Sequence, residues 1–559
     1  MSMKRAVLLI CLLACILVPA GFVFGQDSEK NNHKSLSLET KSYSSGFSIS
    51  SAKPADLVER ILAYSPVLDL KPDDSSYVPV TFQPERKLGR AYLQIGSIIG
   101  YQQARYWIRA DFIEDWQYRL NWRDQKVRIF GFGAWWFDSN AFQTNWTHAF
   151  AGSAYYNFAR TNNLSAPKSF LLTLGESLYW EYIVEWREVI SINDMAFTPF
   201  GGMAVGETLY QFGSYFNSRK GLLNSILGFI NPIIKFNHWL DRRTPASQTL
   251  APTPGWHEFR LFAGRRDSYF ADGADSPALF SGGLRAEIIT APEYGRPGQE
   301  SRSYLDTLSS ELDFDFAVGL RGMEDFNLFM RAVVLGYYNQ NIGLQNEGYG
   351  YYVGLGSAFS LFKKRAVAFY DGIKVGVRKG EDLHLEEPRQ FTDKFSIVHI
   401  AGPVFDFASF SRGLKWRLVL EAYPDFGFIN SLALNRYSAT HDISGAKTTI
   451  LYYGYYFAFG TTLASSLKID SGPFDIDASL RYQTHGSIEG RDRFQGDLTD
   501  DFHLTDSRLG YILKLGYRIG NTPVQLEASF EGIDRQGTVR DVTAREIENR
   551  LFFGLNFIF

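Results

Sequence analysis

The residues best suited to chemistry gather between Trp146 and Asp241. Glu176, Glu181, Glu185, Glu188, Asp194 and Glu207 bring carboxylates into a stretch rich in aromatic and small side chains, with His148 near its start and His238 near its end. Carboxylates with histidine can bind metals or move protons. On a helix, Glu181, Glu185 and Glu188 would fall at i, i+4 and i+7 and share one face. Between Trp146 and Asp241 the Glu-x-x-His motif of helical di-metal bundles does not occur, so the spacing there assigns no metal and no cofactor. A hydrolytic reading would rest on His148, Asp194 and His238, with Ser191 or Glu207 beside them. No local signature marks a nucleophile, and spacing cannot show the geometry a triad needs. The simpler reading is structural. Buried carboxylates need partners, and Arg187 or basic residues elsewhere in the chain would supply them. Gly201-Gly202-x-x-x-Gly206 lacks a preceding strand and a following Gly-Lys-Ser/Thr, which points to close helix packing rather than phosphate binding.

These residues need helices to position them. Ala149–Asn163 and Ser169–Val189 have helical spacing, and Ser191–Asp194 reads as a turn. Thr198-Pro199 offers a cap and a first-turn proline for a helix to about Phe216. Gly221–Ile230 and Ile233–Leu240 follow. The helical insert is thus placed at residues 145–245. None of these helices is long and apolar enough to read as a membrane span.

Both flanks read as β-structure. Ala91–Trp107 and Val127–Phe137 are aromatic and strand-like, so residues 76–144 are expected to hold the first strands or a small β region. Beyond Gly255, amphipathic runs follow one another to the C-terminus, separated by polar loops such as Tyr294–Ser303, Gly380–Asp393 and Gly486–Asp500. They amount to about 12 to 14 strands of an antiparallel transmembrane barrel spanning residues 250–559. Lipid cannot satisfy a free sheet edge, so such a sheet must close. In the last run Leu551, Phe553, Leu555, Phe557 and Phe559 share one side. This ending resembles the C-terminal signal of bacterial outer-membrane β-barrel proteins. The resemblance implies an integral outer-membrane location, outer-membrane lipids as surroundings, and the barrel assembly machinery as a partner through the strand ending at Phe559.

Composition agrees with that class. Aromatic residues make up 16% of the 559, with 46 Phe, 31 Tyr and 11 Trp, as aromatic belts demand. A mean hydropathy of -0.17 is too low for a helical transporter. A formal net charge of -3, from 57 basic and 60 acidic side chains, gives no footprint for nucleic acid. Residues 1–25, with a basic start and an apolar run from Ala6 to Phe24, read as an export signal. Leu12-Leu13-Ala14-Cys15 also offers a lipoprotein box in which Cys15 would be lipidated. With both cysteines, Cys11 and Cys15, in this segment, cleavage near Gly25 would leave a chain without thiol chemistry. Residues 26–75 are mostly polar and read as a flexible periplasmic leader.

Trp180-Glu181, Glu185, Ser191-Ile192-Asn193-Asp194, Thr198-Pro199, Gly201-Gly202, Gly206-Glu207 and Asn237-His238 together resemble an uncharacterised bacterial domain family associated with the cell envelope. Where that pattern has a His-Pro pair, this chain has His148-Ala149. The family implies no reaction. The expectation is a barrel whose helical insert lies in or against the lumen. Its role would be the selective passage or handling of a small solute or lipid, with Glu181, Glu185 and Glu207 tuning the field and pairing with basic barrel residues. A lipid-modifying enzyme and a sealed structural or assembly barrel are the alternatives.

Overall fold

The computed structural model describes residues 86–559 except 109–116, 139–141, 220, 242–254, 272–277, 298, 321, 366–375, 380–381, 386–390, 412, 439, 444–445, 447–449, 451–453, 492–500 and 502. The expected export signal and leader lie outside the described residues.

Twelve strands close into an up-and-down antiparallel barrel. They are β1 (Trp256–Phe270), β2 (Leu279–Ile289), β3 (Ser309–Gly319), β4 (Gly322–Ile342), β5 (Gly348–Arg365) and β6 (Phe391–Ser411), then β7 (Leu414–Asn430), β8 (Tyr455–Ser471), β9 (Phe474–Ser487), β10 (Leu504–Arg518), β11 (Val524–Val539) and β12 (Val542–Ile558). Each pairs with the next, and β12 returns to β1 through Gly554 opposite Gly264 and Leu555 opposite Ala263. Closure leaves no lipid-exposed strand edge. The count lies at the lower end of the expected range, with Tyr455–Ser471 forming one long strand, β8. The connections 343–347, 472–473 and 519–523 lie at the rim where β1 starts and β12 ends, whereas β5, β7 and β9 end, and β6, β8 and β10 begin, at the other.

The N-terminal region is helical: α1 (Leu88–Ile108), α2 (Trp122–Phe130), α3 (Phe142–Arg160), α4 (Ala166–Tyr179), α5 (Ile192–Ala196), α6 (Gly202–Asn217), α7 (Leu222–Leu227) and α8 (Pro232–Leu240). The strands expected in Ala91–Trp107 and Val127–Phe137 are therefore corrected. Ala91, Ile95 and Ile99 recur every fourth residue and are buried, which is helical spacing that the aromatic content of α1 masks. From Val127–Phe137 only Trp135–Trp136 forms a strand, a two-residue parallel pair with Ile190–Ser191. The helical body starts at Leu88 rather than near residue 145.

The inside of the barrel is identified by ion pairs between strands that are not neighbours. Arg417 on β7 meets Glu287 on β2 at 2.5 Å, Arg260 on β1 meets Asp475 on β9 at 3.0 Å, and Lys364 on β5 meets Glu548 on β12 at 2.6 Å. Such pairs must cross the lumen. The alternate positions face outward. On the outside, Phe259, Ala286, Leu312, Met330, Phe359, Val398, Phe426 and Phe459 form one row of register partners across β1 to β8.

The helices lie on this outer row. Phe212 of α6 packs on Phe259 with centroids 5.7 Å apart, Phe150 of α3 on Phe359 at 6.1 Å, and Phe197 on Phe426 at 5.7 Å. The row is buried from β1 to β7 and emerges at Phe459, which is 55% exposed. The expected barrel and helical body are both present, but the helices cover the outer wall rather than restrict the lumen. Aromatic wall residues can face lipid or a packed helix equally well, because both remove them from water. Elsewhere on the wall, Leu463, Leu480, Leu513, Leu526 and Leu555 remain exposed.

Candidate functional site

The helical body holds two polar centres. The first forms where α4 ends. α4 runs into a π-helical turn, Trp180–Val184, and Glu185 leaves the helical conformation with φ -93° and ψ 34°. Glu181, Glu185 and Glu188 therefore do not share one helix face as the spacing suggested. They are brought near one another by the turn that follows. The open carbonyls at this helix end need donors. Arg128 of α2 supplies them and is fully buried. Its guanidinium donates to the carbonyls of Glu188 at 2.6 Å and Glu185 at 2.9 Å, and also to those of Glu181 and Tyr182.

Beyond the turn, Ser191 caps α5. Its hydroxyl accepts from the Asp194 N–H at 3.2 Å and donates to Asp138 at 2.6 Å, while its own N–H donates to Glu181 at 2.8 Å. Asn193 donates to Asp194 at 2.9 Å. His148 Nδ1 of α3 lies 3.1 Å from Asp194 Oδ1, with 26% of its side chain exposed. Of the residues read as candidates for catalysis, the structure thus joins His148 to Asp194. His238 stands on α8, whose principal contacts are with α3 and α6, and is not part of this cluster. Glu185 accepts from Trp180 Nε1 at 2.8 Å, and Glu188 accepts from the Tyr106 hydroxyl of α1. Glu176 is half-buried on α4, and burial raises its carboxyl above the ordinary range.

Burial, followed by repulsion from Glu185, Asp194 and Asp138, holds Glu181 well above its ordinary value. Glu185 and Asp194 are raised by burial and by neighbouring carboxylates as well. The cluster therefore keeps protons that free carboxylates would lose. A folded state that holds a proton more tightly than the unfolded chain loses stability as pH rises above the unfolded value. We expect the helical body to melt at falling temperature as pH rises above the ordinary carboxylate range, and Glu181→Gln to flatten that slope. Circular dichroism melts across the range provide the check, and an unchanged slope in Glu181→Gln would remove this carboxyl as its source.

The second centre pairs α3 with α6. Glu207 is wholly buried and accepts from Arg160 at 2.7 and 3.0 Å, from the Tyr156 hydroxyl at 2.7 Å and from Gln211 at 2.6 Å. Burial pushes this carboxyl up, but Arg160 and the three-residue hydrogen-bond set outweigh it and hold it below its ordinary value. Its base comes from the helical body, not from the barrel as the sequence suggested. Close approach makes the pairing possible: a Cβ on Gly152 of α3 would lie 1.9 Å from the Thr198 carbonyl oxygen, and one on Gly202 would lie 2.6 Å from Gly152. Thr198-Pro199 is not a cap but part of a π-helical turn, Phe197–Gly201, that leads into α6.

A third polar system fills the lumen. Arg417 binds Glu287 and Asp406, both at 2.5 to 2.9 Å. Arg331 meets Glu311 at 2.9 Å and Glu421, and Arg550 meets Glu548 at 3.0 Å and Asp325 at 3.1 Å. Ser360 Oγ lies 2.8 Å from His399 Nε2, whose Nδ1 lies 2.6 Å from Asp425. Asp425 is shared with His485 at 3.1 Å and with Thr462. This is the connectivity of a nucleophile relay, but His399 and Asp425 are 0% and 1% exposed and the network is part of the barrel packing. Sequence reasoning missed these residues because the partners that tie the network across the lumen are far away in the chain, 130 positions for Arg417–Glu287 and 90 for Arg331–Glu421. Among the described residues, no group of three or more His, Cys, Asp or Glu is placed to hold a metal ion, and no helix is long and apolar enough to cross a membrane.

Residues 134–233 match the model of a domain of unknown function, DUF3943. The match covers the α4–α5 cluster and the Arg160–Glu207 pair. No curated protein matches the chain. Solved outer-membrane barrels are similar to it. OmpT of Vibrio cholerae shares 8% identity over 54% of this chain and 97% of its own, with a TM-score of 0.21. A Pseudomonas aeruginosa FadL homologue shares 9% over 54% and 89%, with a TM-score of 0.22. The translocator domain of the autotransporter NalP from Neisseria meningitidis shares 10% over 54% and 88%, with a TM-score of 0.18. The barrel assignment itself rests on the closed strand ladder.

Proposed function

We propose that this protein is an integral outer-membrane barrel that handles a lipid or similar amphiphile at its helical body, rather than passing a solute through its lumen. One observation carries the reading. The polar centre with a partly exposed histidine, His148 beside Asp194, belongs to a domain seated on the outer wall, whereas the lumen is crossed by buried ion pairs. The outer wall of a membrane barrel faces acyl chains, so a ligand reaching this domain from the side would be amphiphilic. Paired lumenal charges also leave little reason for ions to enter, because each pair already neutralises itself.

Two measurements on the full-length protein test the proposal. In planar bilayers we expect no steady single-channel conductance. In native mass spectrometry from mild detergent we expect retained lipid, reduced by His148→Ala and unchanged by Leu344→Ser in the exposed β4–β5 connection. Stable conductance steps would establish an open path and overturn the reading. So would lipid retention indifferent to His148.

A further inference from the structure

We propose that the outer surface of the helical body is immersed in the hydrocarbon layer of the membrane, covered by lipid acyl chains, although none of its helices crosses the bilayer. The argument begins with what these helices expose. On α1, Tyr92, Leu93 and Tyr101 are 56%, 71% and 67% exposed. On α4, Leu171 and Leu178 are exposed, and on α8 so are Phe236 and Trp239. Among the described exposed positions of α1, α4, α7 and α8 there is no Asp, Glu or Lys, and Arg105 near the end of α1 is the sole charge. A water-facing helix surface carries charged residues on its polar side. α2 does so, exposing Arg123 and Lys126.

The position of the body names the occupant. Its inner surface covers a row of outward wall residues from Phe259 on β1 to Phe426 on β7. On neighbouring strands the same wall presents Leu463, Leu480 and Leu513 without cover. This surface, apolar except for the exposed Arg105 and the partly exposed Lys168, Glu176 and Lys235, continues the apolar surface of the barrel. Helices satisfy their own backbone hydrogen bonds and can lie in lipid where irregular chain cannot. The charged pair Arg160–Glu207 is turned inward, as polar groups in lipid must be.

The inference does not depend on lipid handling, since an immersed body need not retain a ligand. The test uses the full-length protein in liposomes of defined phospholipid, with Cys11 and Cys15 changed to serine. Nitroxide labels are placed singly at Leu93→Cys and Leu178→Cys. Leu463→Cys on the bare barrel wall serves as the lipid reference, and Leu344→Cys, 86% exposed in a turn, as the aqueous reference. Each variant is first shown to keep the heat-dependent gel shift of a closed barrel. At Leu93 and Leu178 we expect collision with oxygen to exceed collision with a water-soluble nickel chelate severalfold, as at Leu463, with the preference reversed at Leu344. If either helix position behaves like Leu344, that surface is in water and the proposal fails. Lipid loss in mass spectrometry with unchanged collision ratios would count against lipid handling alone.

Discussion

Replacing Glu207 by alanine is expected to unfold the helical body while leaving the barrel closed. Glu207 and Arg160 sit at the α3–α6 crossing, and the carboxylate satisfies Arg160, Tyr156 and Gln211 together. Without it Arg160 keeps the Leu164 carbonyl at 2.7 Å and the Tyr210 ring at 4.2 Å, but loses its counter-charge in a site with almost no water. An orphaned buried charge costs about 3–5 kcal/mol, a large fraction of the stability of an ordinary domain. Limited proteolysis should cut between Leu88 and Leu240, while the gel shift of the barrel persists. Joint replacement, Glu207→Leu with Arg160→Met, should recover much of the loss, because apolar side chains need no partner. If Glu207→Ala resists protease like the parent, the pair is not what holds α3 to α6. The pH dependence has the opposite sign to that of Glu181. The folded carboxyl lies below its ordinary value of 4.5, so its contribution is present at neutral pH and lost as pH falls through the folded value.

The second large effect is expected in the barrel. Arg417 on β7 holds Glu287 on β2 and Asp406 on β6, so one guanidinium ties opposite walls together. Arg417→Ala removes the cation from Asp406 and leaves Glu287 with Lys468 at 3.6 Å and Arg331 at 3.9 Å, and should cost about 3 kcal/mol. The temperature at which the compact gel band disappears should fall markedly. Arg417→Lys should recover part of the loss, because it restores charge but not the planar fork that engages both carboxylates. Truncation also removes a side chain that spans the lumen, so on the proposed reading a variant that inserts intact should show conductance that the parent lacks. A compact band as heat-stable as the parent's, without conductance, would show that the lumen does not depend on this residue.

Much of the architecture was legible in the sequence because its physical cause is local. Alternation of apolar and polar residues marked the barrel strands, and the change to helical spacing after Trp146 marked the insert. α1 was misread because tyrosines on its outer face and isoleucines on its buried side look strand-like and obscured the spacing of Ala91, Ile95 and Ile99. Which side of the wall the helices cover was not legible. Outward Phe359 and Phe426 meet the same demand whether acyl chains or α-helices cover them. Glu207 and His148 with Asp194 stood out as polar residues in an apolar stretch. Their partners did not, because Arg160 is 47 residues from Glu207, and in the barrel Arg417 is 130 residues from Glu287.

The covered row on the outer wall constrains the order of assembly. The helical body is synthesised before the surface on which it rests, and that surface is complete only when β1 to β7 have paired. Until then Phe150, Phe197 and Phe212 have no seat, and both the helical face and the wall that receives it stay uncovered. Docking must follow the formation of most of the sheet. Phe559 stacks on Phe259 at 5.4 Å, and Phe259 lies under α6, so the settling of the helices and the sealing of the last strand meet at one spot. Completion of the barrel and seating of the helices are therefore coupled at one place in the fold.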